Sequence, residues 1–300
     1  MRMKQVPAGK IRSDIDGFRR YRPMLMSFDT RAHILATKIE EDWETQVRAQ
    51  WLKNQERLRE QVLHEFGVHD GNRKLADMEA LGSAPWSVVA QHNHYLHEIR
   101  DAFVYGAYYP ALLGAAGLGE RILNHLLFAL KDDFGAHPAT RPIAGKQTVD
   151  KWPIAIKVLK EWNVLPPRTA STYLKLATLR NEAIHYRRQL DSGARRHALE
   201  AIHLLQDVVQ DVFNPLGGPP IFIAGVAGAS FISLEAERLP LVRRFFIPAS
   251  FLVSPRHSIE PLSDGTGFIF YDDLDYSNES GCQYLSDAEF IERFDHHPVN

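Results

Sequence analysis

Seven residues, Asn214-Pro215-Leu216-Gly217-Gly218-Pro219-Pro220, divide this chain into two kinds of sequence and limit its folds more than any other stretch. A regular helix or strand does not run through them. Each proline lacks an amide hydrogen and fixes φ, and each glycine carries the largest entropic cost of being ordered. Before the break, apolar residues recur at helical spacing; after it, short β-branched and aromatic runs alternate with turns.

The helical part reads as follows. Asp29 to Phe66 contains no proline or glycine, and Ile34, Leu35, Ile39, Trp43, Val47, Trp51, Leu58, Val62 and Phe66 fit one long amphipathic helix that Gly67 ends. His69 to Ser83, with Asp70-Gly71-Asn72, reads as a connector. Further helices are expected over Ser87–Tyr105, Tyr109–Phe134, Val149–Trp162, Arg168–Arg188 and Ala194–Phe213, with Pro110 and Pro166-Pro167 at tolerated helix starts. Their connections favour an antiparallel up-and-down bundle. After the break, strands are expected over Ile221–Ala224, Ala229–Leu234, Arg244–Val253 and Gly267–Tyr271. Ser286-Asp287-Ala288-Glu289 is a capping box that opens a last helix to Phe294. The expected fold is mainly α: residues 1–85 carry the long helix, 86–217 form the helical bundle, and 218–300 form a small β-rich C-terminal module.

Composition narrows the class. Three hundred residues of ordinary apolar content with a net charge of −2 describe a globular chain, not a disordered one. The lone Cys282 excludes an internal disulfide framework and a cysteine zinc site, and it suits a reducing compartment, so a cytoplasmic location is expected. Met1 to Ser13 lacks the apolar core of a signal peptide, and Ile221 to Leu234 is too short to span a bilayer. Charge is unevenly spread. Arg2, Lys4, Lys10, Arg12, Arg19, Arg20 and Arg22 make the beginning basic, and the last forty or so residues are acidic.

The chemically informative stretch is Arg180-Asn181-Glu182-Ala183-Ile184-His185. A histidine exchanges a proton near neutral pH, a guanidinium holds a phosphate bidentately, and an amide orients either one. Those are the side chains that RNA cleavage without a metal requires. On a helix Asn181 and His185 share a face, whereas Arg180 lies about 140° from His185. Two copies packed about a two-fold axis would bring Arg180 of one to His185 of the other.

Taken together, Tyr109-Pro110-Ala111-Leu112-Leu113, Gly119-Glu120-Arg121-Ile122-Leu123-Asn124 and Leu179-Arg180-Asn181-Glu182-Ala183-Ile184-His185-Tyr186 resemble the HEPN superfamily (higher eukaryotes and prokaryotes nucleotide-binding domains) over about Trp86 to Phe213. The resemblance implies a dimeric helical bundle. It also implies metal-independent endoribonuclease activity of the toxin or antiphage kind, with Arg180, Asn181 and His185 filling the family's motif. By that analogy His185 transfers protons, Arg180 binds the scissile phosphate, Asn181 fixes the histidine or a phosphate oxygen, and Glu120, Arg121 and Tyr186 support them. Expected partners are RNA, a second copy of the chain and a cognate antitoxin or regulatory protein; no cofactor or metal is implied. Arg187, Arg188, Arg195 and Arg196 would line an RNA groove, although a solvated charged loop explains them equally well. Two other readings stand beside this one. Arg180 and His185 could be a helix-terminal cation pair and Glu120 a structural ion-pair partner, in a catalytically silent dimeric scaffold or sensor. The chain could also be a regulatory RNA binder.

Several signals are declined. His92-Asn93-His94 with His97 is consecutive on one helix, unlike a nuclease metal site. Asp272, Asp273, Asp275 and Asn278 lack the glycine of a calcium loop, Gly225-Val226-Ala227-Gly228 lacks a phosphate-loop Lys-Ser/Thr, and Trp43 and Trp51 suit helix contacts. The acidic C-terminal stretch would compete with nucleic acid for a basic groove. Deleting the residues after Pro261 is therefore expected to raise activity, read as initial rate on RNA; an unchanged rate contradicts the masking role.

Overall fold

Helix α5, Tyr108–Leu130, is apolar on nearly all sides, and Ala111, Leu112, Ala115, Ala116, Ile122, Leu123, Leu126, Leu127 and Leu130 are buried. A helix apolar all round must be enclosed. In the computed structural model it is packed against α4 (Ala90–Tyr105), α6 (Trp152–Glu161), α7 (Pro167–Ile184) and α8 (Ala194–Phe213). The structure describes residues 4–5, 19–24, 29–184, 193–216, 220–226, 230–255, 257–263, 268–271 and 285–294. The chain is mainly helical, and it divides into two compact units: Met26–Asn214, and Met1–Leu25 with Pro215–Asn300. Among the described residues no helix is long and apolar enough to cross a membrane.

The first unit takes in more of the N-terminal sequence than the periodicity implied. Instead of one helix over Asp29–Phe66 there are two, α1 (Arg31–Ala36) and α2 (Thr45–Phe66). Thr37 Oγ1 caps α1 by donating to His33 O at 2.7 Å, and the buried Gln55 amide donates to Ile34 O at 2.9 Å and Thr37 O at 2.8 Å. These bonds satisfy carbonyls that a helix end leaves open. Gly67 then ends α2 at φ +83°, a conformation that favours glycine.

The expected connector over His69–Ser83 contains a third helix, α3, over Gly71–Ala80. Its inward positions include Lys74 and Asp77, so hydrophobic periodicity did not reveal it. Lys74 Nζ donates to Phe66 O at 2.7 Å and Gly67 O at 3.1 Å. Asp77, wholly buried, accepts from Arg73 Nη1 at 2.7 Å, from the Tyr108 hydroxyl at 2.9 Å and from Arg195 Nε at 2.7 Å. One carboxylate thus joins α3, α5 and α8. A second polar knot lies at Arg100, which donates to Leu81 O, Gly82 O and Gln206 Oε1, while Gln206 Nε2 donates to Leu81 O at 3.0 Å.

The second unit contains β2 (Arg20–Pro23) paired antiparallel with β3 (Ser250–Val253), and a sheet in the order β1–β5–β4. In that sheet β1 (Lys4–Gln5) runs parallel to β5 (Phe268–Tyr271), and β4 (Ser258–Pro261) runs antiparallel to it. The beginning of the chain is therefore a strand partner of its end, and the expected 1–85 segment is split near residue 25. Ile223, Val226, Phe231, Val253, Phe290 and Phe294 form its core. Of the strands expected over Ile221–Ala224 and Ala229–Leu234, the described residues show one isolated bridge, Phe222 with Ile232. Val242–Phe246 is a π-helical turn, not a strand; Val242, Phe245 and Phe246 are buried at helical spacing. Helix α9, Asp287–Phe294, opens on the expected capping box: Ser286 N donates to Glu289 Oε2 at 2.8 Å and Glu289 N to Ser286 Oγ at 3.3 Å.

Deletion after Pro261 would remove Phe290 and Phe294 and with them part of this core. Asp272→Asn, Asp273→Asn and Asp275→Asn, at positions outside the described residues, test masking without that damage. In the first unit, replacing both Arg73 and Arg195 by alanine leaves Asp77 buried without a cation, and urea unfolding should show a loss of about 3–5 kcal/mol. Asp77→Asn, which removes the charge itself, should cost clearly less.

Candidate functional site

Gly119 lies at the crossing of α5 with α7 and α6. A Cβ there would sit 2.9 Å from Leu176 Cδ2 and 3.1 Å from the Trp152 ring, so those two side chains pack directly over Gly119 and would have to give way to any other residue. The crossing puts Glu120 of α5 beside Arg180 of α7: Arg180 Nη2 is 3.2 Å from Glu120 Oε2. The same oxygen accepts a hydrogen bond from Trp152 Nε1 at 3.0 Å, and the Arg180 guanidinium carbon is 6.0 Å from the Trp152 ring centre. Arg180 Nη1 also donates to Asn181 Oδ1 at 3.3 Å. Both partners of the ion pair keep about a third of their side-chain surface exposed, so the pair borders solvent.

That border is a groove of about 690 Å³ whose polar lining is Glu120, Arg121, Asn124, His125, Thr148 and Arg180, with Leu113, Phe128 and Ile184 among its apolar walls. Asn124 builds one wall. Its amide donates to Glu120 O at 3.1 Å and Val149 O at 3.2 Å, and its oxygen accepts from Val149 N at 2.8 Å, which clips the segment before α6 onto α5. Arg121 is exposed, with its guanidinium carbon 5.4 Å from the Tyr95 ring centre, a cation–π contact that orients it without neutralising it.

The structure thus brings Arg180, Asn181, Glu120 and Arg121 to one place. Glu120 is an ion-pair partner, and the cation it meets is Arg180. Arg195 is drawn into the Asp77 knot and lies 5.7 Å over the Phe103 ring, while Arg196 Nη2 is 3.3 Å from His197 Nε2. His185, Tyr186, Arg187 and Arg188 lie outside the described residues. Sequence reasoning passed over His125 and Thr148. His125 carried a signal, since it lies four positions after Arg121 and so on the same helix face.

The three histidines of α4 are accounted for locally. His94 Nε2 lies 3.4 Å from Glu98 Oε1 and His97 Nε2 lies 3.4 Å from Asp101 Oδ2, each facing a carboxylate one turn on. Among the described residues no group of three or more metal-ligating side chains is assembled. His92 is buried against Phe213, 4.7 Å between ring centres, with Nδ1 3.2 Å from Ser87 Oγ. Burial first, then the neighbouring His125 and Arg121, pushes its pKa down to about 3. No family model, no curated protein and no solved structure matches this chain.

The sign of the His92 effect follows from proton binding. The unfolded chain protonates His92 near its ordinary 6.5, whereas the folded chain resists until about 3, so stability is full above 6.5 and is lost as pH falls between those values. Between pH 7 and pH 5 this one residue should cost about 2 kcal/mol. Denaturant titrations at the two pH values should show His92→Gln losing that much less than the wild type.

Proposed function

We propose that this chain is a metal-independent endoribonuclease of the HEPN type. In this reading the helical bundle is a HEPN-like domain acting as a homodimer, in a toxin or antiphage role, and the β-rich C-terminal part of the chain modulates access. The observation that supports it best is the placement of Arg180 of the Arg-Asn-…-His motif on an open groove that it shares with Arg121 and Asn124. Among the described residues the groove has two guanidinium groups and one carboxylate, a lining that suits a phosphodiester because one of those cations lies outside the ion pair.

RNA supplies its own nucleophile. The protein needs to take a proton from the 2′-OH, steady the charge that gathers on the phosphorane oxygens and return a proton to the departing 5′-oxygen. Arg180 binds the phosphate, its guanidinium prepositioned by Glu120 and Asn181; Arg121 adds a second donor; and His185 carries a proton. The products carry a 2′,3′-cyclic phosphate and a 5′-OH. DNA, which lacks the 2′-OH, is bound but not cut.

A second reading has its own support. Glu120 Oε2 is shared between Arg180 and the Trp152 indole, and a buried-edge ion pair of this kind also serves a catalytically silent scaffold or sensor. Incubation with total and transfer RNA in EDTA separates the two. The ribonuclease reading predicts fragments with cyclic-phosphate ends from the wild type, and a loss of at least about a hundredfold for His185→Ala and Arg180→Ala. Intact RNA beside a folded dimer leaves the scaffold.

A further inference from the structure

Helix α2 extends past the helices that cover it. Its C-terminal part packs with α1 and α3, and Gln55, Leu58, Val62 and Phe66 are buried there. From Thr45 to Lys53, about 13 Å of helix, every residue is exposed except Trp51, which is half-buried. We infer that this projecting part of α2 is an interface between two copies of the chain, which pair their α2 helices antiparallel across it.

The face that packs in one half of the helix continues, uncovered, into the other. Val47, Trp51, Leu58 and Val62 fall within about 60° of one another around α2. Leu58 is 9% and Val62 0% exposed, whereas Val47 is 38% exposed and Leu52, beside that face, 57%. Trp43, just before the helix, sets its ring centre 5.8 Å from that of Trp51. Tryptophan is among the residue types most enriched where protein interfaces draw their binding energy. The two tryptophans suit a helix contact, and the helix that completes it is supplied by a second copy.

Charge selects this occupant. Glu40, Glu41, Asp42 and Glu44 form an acidic run beside Trp43, which repels the phosphates of RNA and the anionic surface of a membrane. Arg48 Nη1 donates to Glu41 O at 3.4 Å and holds that run against the start of the helix. Arg57 lies three turns further on at the edge of the apolar face, while Glu56 and Glu60 project from the opposite side. When Val47 of one copy rests on Trp51 of the other in an antiparallel pair, Glu41 of the first stands opposite Arg57 of the second. A parallel pair would put the two acidic runs together, so charge fixes the direction. The contact is short, and such small interfaces associate reversibly with concentration.

The inference does not rest on the ribonuclease reading, which is judged by RNA cleavage and not by association. Sedimentation velocity of the full chain over a concentration series tests it, with circular dichroism to show that each variant is folded. Val47→Arg and Arg57→Glu, both at exposed positions, should each weaken association at least about tenfold. Glu41→Arg combined with Arg57→Glu should restore it to within about threefold of wild type, because the reversed pair attracts again. A wild type that stays monomeric, or a Val47→Arg chain that associates as wild type does, overturns the proposal. A double variant as weak as Arg57→Glu alone overturns the antiparallel pairing. A monomer that sediments with phosphatidylserine vesicles, and loses them on Val47→Arg, overturns it in favour of a lipid surface.

Discussion

The close crossing of α5 with α6 and α7 at Gly119 is the constraint on which the candidate site depends. A Cβ at that position would sit 2.9 Å from Leu176 Cδ2 and 3.1 Å from the Trp152 ring, so Leu176 and the indole that Glu120 accepts from would have to shift. The space that Gly119 leaves is taken in part by the indole that shares Glu120 Oε2 with Arg180. Packing here sets electrostatics: a carboxylate fixed by an indole fixes an arginine, and an arginine fixed in this way reaches a groove with little conformational freedom left to lose on binding.

A second kind of device holds the rest of that unit. Asp77 and Arg100 are buried charges with multiple partners from distant parts of the chain, and Lys74 reaches back to the carbonyls that end α2. Such groups add little net stability against apolar replacements of the same shape, yet each is costly to strand. They specify which helix lies against which. The apolar core alone, made largely of leucine, alanine and valine, would tolerate several arrangements of these helices.

How much of this could be read from sequence follows the same division. Helix α8 lies on the bounds its periodicity gives, Ala194–Phe213; α5 begins one residue earlier than expected; and the capping box at Ser286 forms the bonds its residue types imply. Each of those is governed by local pattern. The break after Ala36 and the helix over Gly71–Ala80 were not legible, since they depend on Gln55, Lys74 and Asp77, polar residues whose partners are set by tertiary contact. Val242–Phe246 presents aromatic residues that suit either a strand or a helical turn, and burial at helical spacing decides it. At the site, the Arg180-Asn181 motif was visible as a motif, whereas the groove needed the fold. His125 and Thr148 come from separate elements, and no spacing connects Thr148 to Arg180.

The central claim is that the Arg180–Glu120 pair presents a guanidinium to a phosphodiester. Fluorescence anisotropy with a labelled, uncleavable 2′-O-methyl oligoribonucleotide tests it most directly, comparing wild type with Arg180→Gln and Glu120→Gln. The account predicts that Arg180→Gln weakens binding by about tenfold, some 1.4 kcal/mol, and that Glu120→Gln weakens it by less, because the guanidinium remains but is no longer held in place. If both variants lower the melting temperature and leave the affinity unchanged, the pair serves the fold alone and the claim is wrong.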